Sequence, residues 1–177
     1  ENLSPLRPAD VAEGLKSLQI AFQHNPTTLQ QETYLNGVNV EDEIRTMRIS
    51  ERVSEVATVK EIRAALVAQQ QKLGQQKGVV MDGRDIGTVV FPDAELKLFM
   101  TSSANTRAQR RFDELIESGA LVTFEDVLEN ITSRDHLDST RKDSPLFKAT
   151  DAIEIDNSNL SLDQQFEKVL ALVQSKL

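Results

Sequence analysis

The chain has 177 residues, enough for one ordinary domain or a domain with a small insert, and enough to bury a sizeable core. The absence of cysteine excludes disulfides, thiol nucleophiles and thiolate metal sites together, and a reducing, cytoplasmic setting is the expectation. A net charge of -8 argues against wrapping long nucleic acid, and the apolar runs are too short for a membrane span; a small anionic ligand stays compatible, because Arg107, Arg110, Arg111, Arg134 and Arg141 fall within one short region.

In chain order, Pro8 followed by Val11, Leu15 and Leu18 predicts a short amphipathic helix, with the proline where its missing N–H does no harm. "IAFQ" and "ETYL", separated by Asn25-Pro26, predict two strands, and Asn36-Gly37 within "YLNGVNV" is a strong hairpin signal. Residues 1–42 are expected as one helix plus a small antiparallel sheet. From Glu43 to Gln76 the pattern turns helical, with Ser50 as a start and "TVKE" at 58–61 as a capping box before Ile62, Leu66 and Leu73; Gly74 and Gly78 then end it.

"GVVMD", "ELKLFM" and "DAIEID" at 151–156 have strand length, with helical segments between the later pair, so an α/β fold with a parallel sheet is expected. A helix from Thr123 opens with a T-x-x-D box and turns Val127, Leu128 and Ile131 inward. The last helix has Ser161 as cap with Gln164 three residues on, and Phe166, Val169, Leu170 and Val173 as its buried stripe.

Ligands in open parallel sheets sit beyond the carboxyl ends of strands, which is where Asp82, Arg84 and Asp85 follow "GVVM". A turn with a surface ion pair is the other account of these charges, and Gly83 and Gly87 fit either. Arg134, Asp138 and Arg141, spaced by four and three, share one helical face; weak ion pairs on a solvated face would show the same spacing. Arg107, Arg110 and Arg111 carry the same ambiguity, although arginine near a helix start gains nothing from the helix dipole. His24 and His136 lie in unrelated segments, so no Cys/His metal site exists, a Ser-His-Asp triad would have to use one of them, and each is expected as an ordinary surface residue. No G-x-x-x-x-G-K-[ST] occurs, nor even one Gly-Lys dipeptide, so these residues hold no phosphate-cradling P-loop.

"EIRT", "SEVATVKEIRAAL", "DGRDIGTVVFPDA" and "SRDHLDSTRKDSPL", in this order and at these intervals, resemble the bacterial cytidylate kinases, nucleoside monophosphate kinases that phosphorylate CMP and dCMP from ATP. The similarity runs over nearly the whole chain, and "DGRD-x-GTVVFPDA" is its most specific piece. It implies a P-loop NTPase core over 43–177 with a lid at about 107–125, residues 1–42 as the CMP-binding insert, a monomer acting on small nucleotides, and Mg²⁺ arriving with ATP rather than a metal site of the chain's own. It further implies that Ser54, Arg63 and Asp85 contact cytosine, that Arg84 and Arg141 hold the CMP phosphate, and that Arg134 and Asp138 contact the pentose. Arg107, Arg110 and Arg111 would lie near the lid, where family arginines approach the ATP phosphates.

Family members carry, ahead of the part matching Glu1, a strand, the P-loop, its helix and a further CMP-binding segment. The expectation is therefore a C-terminal portion whose first strand and P-loop are missing, inactive by itself, with a gap between "GVVMD" and "ELKLFM". Two other functions stay open on the residues: a pyrimidine-nucleotide-binding fragment without turnover, and a metal-dependent phosphatase using Asp82 and Asp85, in which the arginines would have no role.

Overall fold

The computed structural model describes residues 8–176, apart from the side chains of Pro8, Ala9, Asp10, Ala12 and Ser54; expectations for residues 1–7 and for the Ser54 side chain lie outside the described residues. The chain forms two compact units, one ending at Gln69 and one beginning at Gln70.

In the first unit, helix α1 (Pro8–Ser17) buries Val11, and β1 (Ile20–His24), β2 (Gln31–Leu35) and β3 (Val38–Asn39) form an antiparallel sheet in the order β1-β2-β3. The β2–β3 turn is the expected Asn-Gly hairpin: Asn36 has φ 50° and Gly37 φ 82°, two positive values in succession that few other residue pairs adopt without strain. A single carboxylate ties the sheet across its strands, since Glu32 accepts from Asn25 Nδ2 at 2.6 Å, Asn39 Nδ2 at 2.9 Å and the Tyr34 hydroxyl at 3.1 Å. Glu41, opening helix α2 (Glu41–Ile44), accepts from the Thr33 backbone N–H at 2.9 Å and from Arg45, so the first helical segment after the sheet is fastened to β2.

Two expected helix starts move. Helix α3 (Met47–Val56) has Thr46 as its N-cap residue, so Ser50 lies inside the helix, where its backbone N–H already donates to Thr46 O at 3.1 Å. Helix α4 (Lys60–Gly74) begins one residue later than a Thr58 cap requires, because the Thr58 hydroxyl is turned back to donate to Glu55 O at 2.7 Å.

The second unit is built on a parallel pair, β4 (Leu98–Thr101) and β5 (Ile153–Asp156), in the register Leu98↔Ile153 to Thr101↔Asp156. Between them run α5 (Ala104–Glu117) and α6 (Phe124–Thr140), the helical crossover that parallel strands need. Both α6 and α7 (Leu162–Gln174) start with the expected capping boxes, Thr123 with Asp126 and Ser161 with Gln164. Ala108 and Leu115 of α5, Val127 of α6, Val90 and Ile155 form the buried core, and Phe112 meets Phe124 edge-on at 6.2 Å between ring centres.

The structure corrects two expectations here. Residues 78–82, "GVVMD", form no strand: among the described residues they have no ladder partner, and Val80 is fully exposed, because a strand is defined by its neighbours and not by its own composition. Phe166 is 62 % exposed rather than part of a buried stripe, since among the described residues no other element packs broadly on α7. No helix among the described residues is long and apolar enough to cross a membrane.

One ion pair holds the start of β4 to the approach to β5. Lys97, with 8 % of its side chain exposed, donates to both Asp151 oxygens at 3.0 and 2.8 Å and also to Pro92 O. The ammonium hydrogen bond holds the Asp151 carboxyl below its usual range. A carboxyl more acidic when folded contributes stability above the ordinary carboxylate range, near about 4, and loses it as pH falls. Asp151→Asn should therefore lower the thermal midpoint at pH 7, and the difference from the parent should shrink as pH falls below the ordinary carboxylate range; an offset independent of pH would contradict this account.

Candidate functional site

The segment after residue 82 is shaped by an unusual turn. Residues Ile86–Val90 form a π-helical turn in which the Asp85 carbonyl accepts from the backbone N–H groups of Thr88, Val89 and Val90, at 3.3, 2.9 and 3.3 Å. Such turns are rare and gather at functional sites. Just ahead of it, a Cβ at Gly83 would lie 2.9 Å from the Ile86 side chain, so any larger residue there would make that side chain shift. Asp85 is thereby fixed at the turn's start, half-buried, and Arg84 is carried out beside it.

Arg84 reaches α6. Its Nε donates to Asp138 Oδ2 at 3.1 Å, across a sequence separation of 54 residues. The other oxygen of Asp138 accepts from Arg141 Nη1 at 3.0 Å, and Arg141 Nε donates to Ser144 O at 2.8 Å. Ser144 holds φ 50°, and the Leu146 N–H donates to Asp138 O at 2.7 Å, so the chain after α6 wraps back over the same residue. Asp138 is 3 % exposed and, among the described residues, is the one charged residue buried as a whole, backbone and side chain together. Arg141 is the residue after the last turn of α6, with extended backbone, and not a third member of one helical face.

Arg134 lies one turn ahead of Asp138 with its Nε enclosed. Burial, and then the neighbouring Arg84 guanidinium, press its acidity up from the usual arginine range, while Asp138 opposes the change. The other arginines of the region are engaged elsewhere. Arg107 grips Asp135 with two parallel bonds of 3.0 and 2.7 Å and also donates to Ser102 O, Arg110 donates to Asn157 and Leu160 beyond β5, and Arg111 pairs with Glu114 at 2.9 Å. Arg84, Arg134 and Arg141 set against Asp138 leave two net positive charges in the cluster, a complement for a dianion such as a phosphate monoester.

The sequence matches the description "Cytidylate kinase" over residues 3–175. The chain belongs to the cytidylate kinase family. Among its relatives, the cytidylate kinase of Flavobacterium psychrophilum is 56 % identical over 161 residues, which is 91 % of this chain and 71 % of that protein. That of Bacteroides thetaiotaomicron is 56 % identical over 155 residues, covering 88 % and 68 %, and that of Cytophaga hutchinsonii 48 % identical over 175 residues, covering 99 % and 75 %.

Of the positions the family pattern singles out, Arg84, Arg134, Asp138 and Arg141 come together in the second unit, with Asp85 adjacent in sequence to Arg84. Asp82 is exposed. Arg63 belongs to the first unit, on α4, half-buried, with Nη1 donating to Ala57 O at 3.4 Å; Ser54 is on α3. His24 and His136 are both exposed. Sequence reasoning passed over Asp135, the acid directly after Arg134, and Ser144, whose carbonyl orients Arg141. Asp135 could have been suspected from its alternation with Arg134, whereas nothing local marks Ser144.

The Arg107–Asp135 fork is half-exposed and joins the N-terminal half of α5 to the C-terminal half of α6. Arg107→Ala should lower stability by roughly 1 kcal/mol, the upper range for a partly exposed pair, in urea unfolding followed by circular dichroism. An unchanged urea midpoint would show that apolar packing between these helices suffices without the fork.

Proposed function

We propose that this protein transfers the terminal phosphoryl group of ATP to CMP or dCMP, giving CDP or dCDP. The observation that carries this proposal is the meeting of Arg84 with Asp138 and Arg141, which, with Arg134 beside them, collects two net positive charges where an acceptor nucleotide would present a dianionic phosphate. Arginine suits this role because its planar fork meets phosphate oxygens two at a time. Membership of the cytidylate kinase family supports a nucleoside monophosphate kinase core, with residues 1–42 as the CMP-binding insert, 43–177 as the core and a lid at about 107–125.

In this account Arg84 and Arg141 hold the acceptor phosphate, Arg134 approaches the pentose, and Ser54, Arg63 and Asp85 read the base. Cytosine offers an exocyclic amino donor beside ring acceptors, so a carboxylate takes the amino hydrogens while arginine and serine donate to the ring. Uracil would turn a carbonyl toward Asp85 and leave buried polar groups unpaired. Arg107, Arg110 and Arg111 would support the lid, the first two through the bonds that tie α5 to α6 and to the segment after β5.

Phosphoryl transfer asks the protein mainly to align two nucleotides and neutralise developing charge. Mg²⁺ would come with the ATP phosphates, as the family membership implies. No glycine-rich phosphate loop occurs within these 177 residues, and we place the donor-phosphate contacts outside them. The unpaired run 78–82, with Val80 fully exposed, supports a further strand from outside these residues pairing at that point.

A coupled assay of the full-length protein with ATP and CMP tests the assignment. Arg141→Ala and Asp85→Ala should each lower kcat/KM by at least about a hundredfold, the scale expected when one partner of a buried charged contact is removed. Full activity in both variants would refute the residue roles. Asp85→Asn, which replaces a pure acceptor by a group that also donates, should shrink the CMP-over-UMP ratio of kcat/KM by about tenfold or more; an unaltered ratio would remove Asp85 from base recognition.

A further inference from the structure

The second unit begins at Gln70, inside α4, so the last turn of that helix belongs with the segment that follows it. This end of the helix lies along residues 90–95 and meets them at positions three residues apart. Gln71 Nε2 donates to Val90 O at 3.2 Å. The Phe91 ring comes so near the backbone of Gly74 that a Cβ there would lie 2.4 Å from the ring's Cζ and 2.5 Å from its Cε1, so any side chain at this position would push the ring aside. Lys77, just past the helix, pairs with Glu95 at 2.8 Å, although both side chains are mostly exposed and the pair adds little.

We infer that Gln71 and Gly74 are positioning residues for base selection: they set the π-helical turn, and through it Asp85, in the geometry that tells cytosine from uracil. This role rests on the base-reading assignment of Asp85 above and deepens it. A single helical turn leaves its last carbonyls without partners inside the turn. Val90 is 2 % exposed, so its carbonyl is largely cut off from water, and the Gln71 amide supplies a donor there. The bonds of the turn carry that placement back to its start, because the N–H groups of Val90 and Phe91 donate to Asp85 O and Ile86 O at 3.3 and 2.7 Å. A second hold comes from Lys97, whose stem would lie 3.3 Å from a Cβ at Gly87 and whose ammonium donates to Pro92 O. A carboxylate that must meet an exocyclic amino group at hydrogen-bond length loses discrimination when it is displaced by about an ångström. The end of α4 therefore acts on the base through the main chain of residues 85–91.

Steady-state kinetics of the full-length protein with ATP and either CMP or UMP tests this brace. Gln71→Leu, which keeps the bulk and removes the donor, should shrink the CMP-over-UMP ratio of kcat/KM about five- to tenfold and leave the KM for ATP unchanged. Gln71→Lys restores a donor of similar reach on an exposed side chain and should recover the ratio, which a merely space-filling part would not require. Hydrogen exchange in Gln71→Leu should quicken at the amides of residues 88–91. Gly74→Ala should also shrink the ratio, yet add nothing in a Phe91→Ala background, where no ring is left to displace; an added loss there would remove Gly74 from the brace. An unaltered ratio in Gln71→Leu, no recovery with lysine, or unaltered exchange at 88–91 would overturn the role of Gln71. If Asp85→Asn itself leaves the ratio unaltered, the base-reading assignment fails and the brace fails with it. A shrunken ratio in Asp85→Asn beside an unaltered one in Gln71→Leu removes the brace alone.

Discussion

A buried carboxylate shared by two guanidiniums is the constraint on which the second unit turns. An isolated charge at that depth would cost several kcal/mol, a cost that Arg84 and Arg141 offset by staying beside the Asp138 carboxylate. That requirement draws together three stretches of chain: the glycine-containing loop ahead of the π-helical turn, the last turn of α6, and the Ser144–Leu146 segment that folds back over it. The interaction that completes the fold at this point is also the one that concentrates positive charge, and structure and recognition are inseparable there.

The arginines of residues 107–141 divide into two groups by what they grip. Arg107 and Arg110 act as struts, one between α5 and α6 and the other from α5 to the chain leaving β5. Arg134 and Arg141, with Arg84, form the charged cluster. A chain of net charge -8 can therefore carry a locally positive cluster, because cations such as Arg107 and Arg111 pair with nearby carboxylates while three arginines share Asp138. The π-helical turn contributes in a different way, since three backbone donors converging on the Asp85 carbonyl hold the main chain next to that patch without using any side chain.

Much of the architecture is legible along the chain wherever a few adjacent residues decide it. The Asn36-Gly37 turn and the Thr123 and Ser161 capping boxes are closed by atoms within three residues of one another, and they form as their composition implies. The parallel pairing of the "ELKLFM" and "DAIEID" segments follows from the helical length between them. Thr58 shows the limit of such reasoning even at short range, because its hydroxyl had two possible partners and took the one behind it.

By itself the sequence determined the local elements, the family, and the set of charged residues from which a phosphate site could be made. Tertiary structure alone decided which of those charges meet. The spacing of Arg134, Asp138 and Arg141 was equally compatible with a solvated surface, and nothing near Arg84 indicates a partner 54 residues away. Likewise "GVVMD" has the composition of a strand and Phe166 that of a core residue, yet pairing and burial are properties of what lies alongside, which no periodicity within a segment can supply.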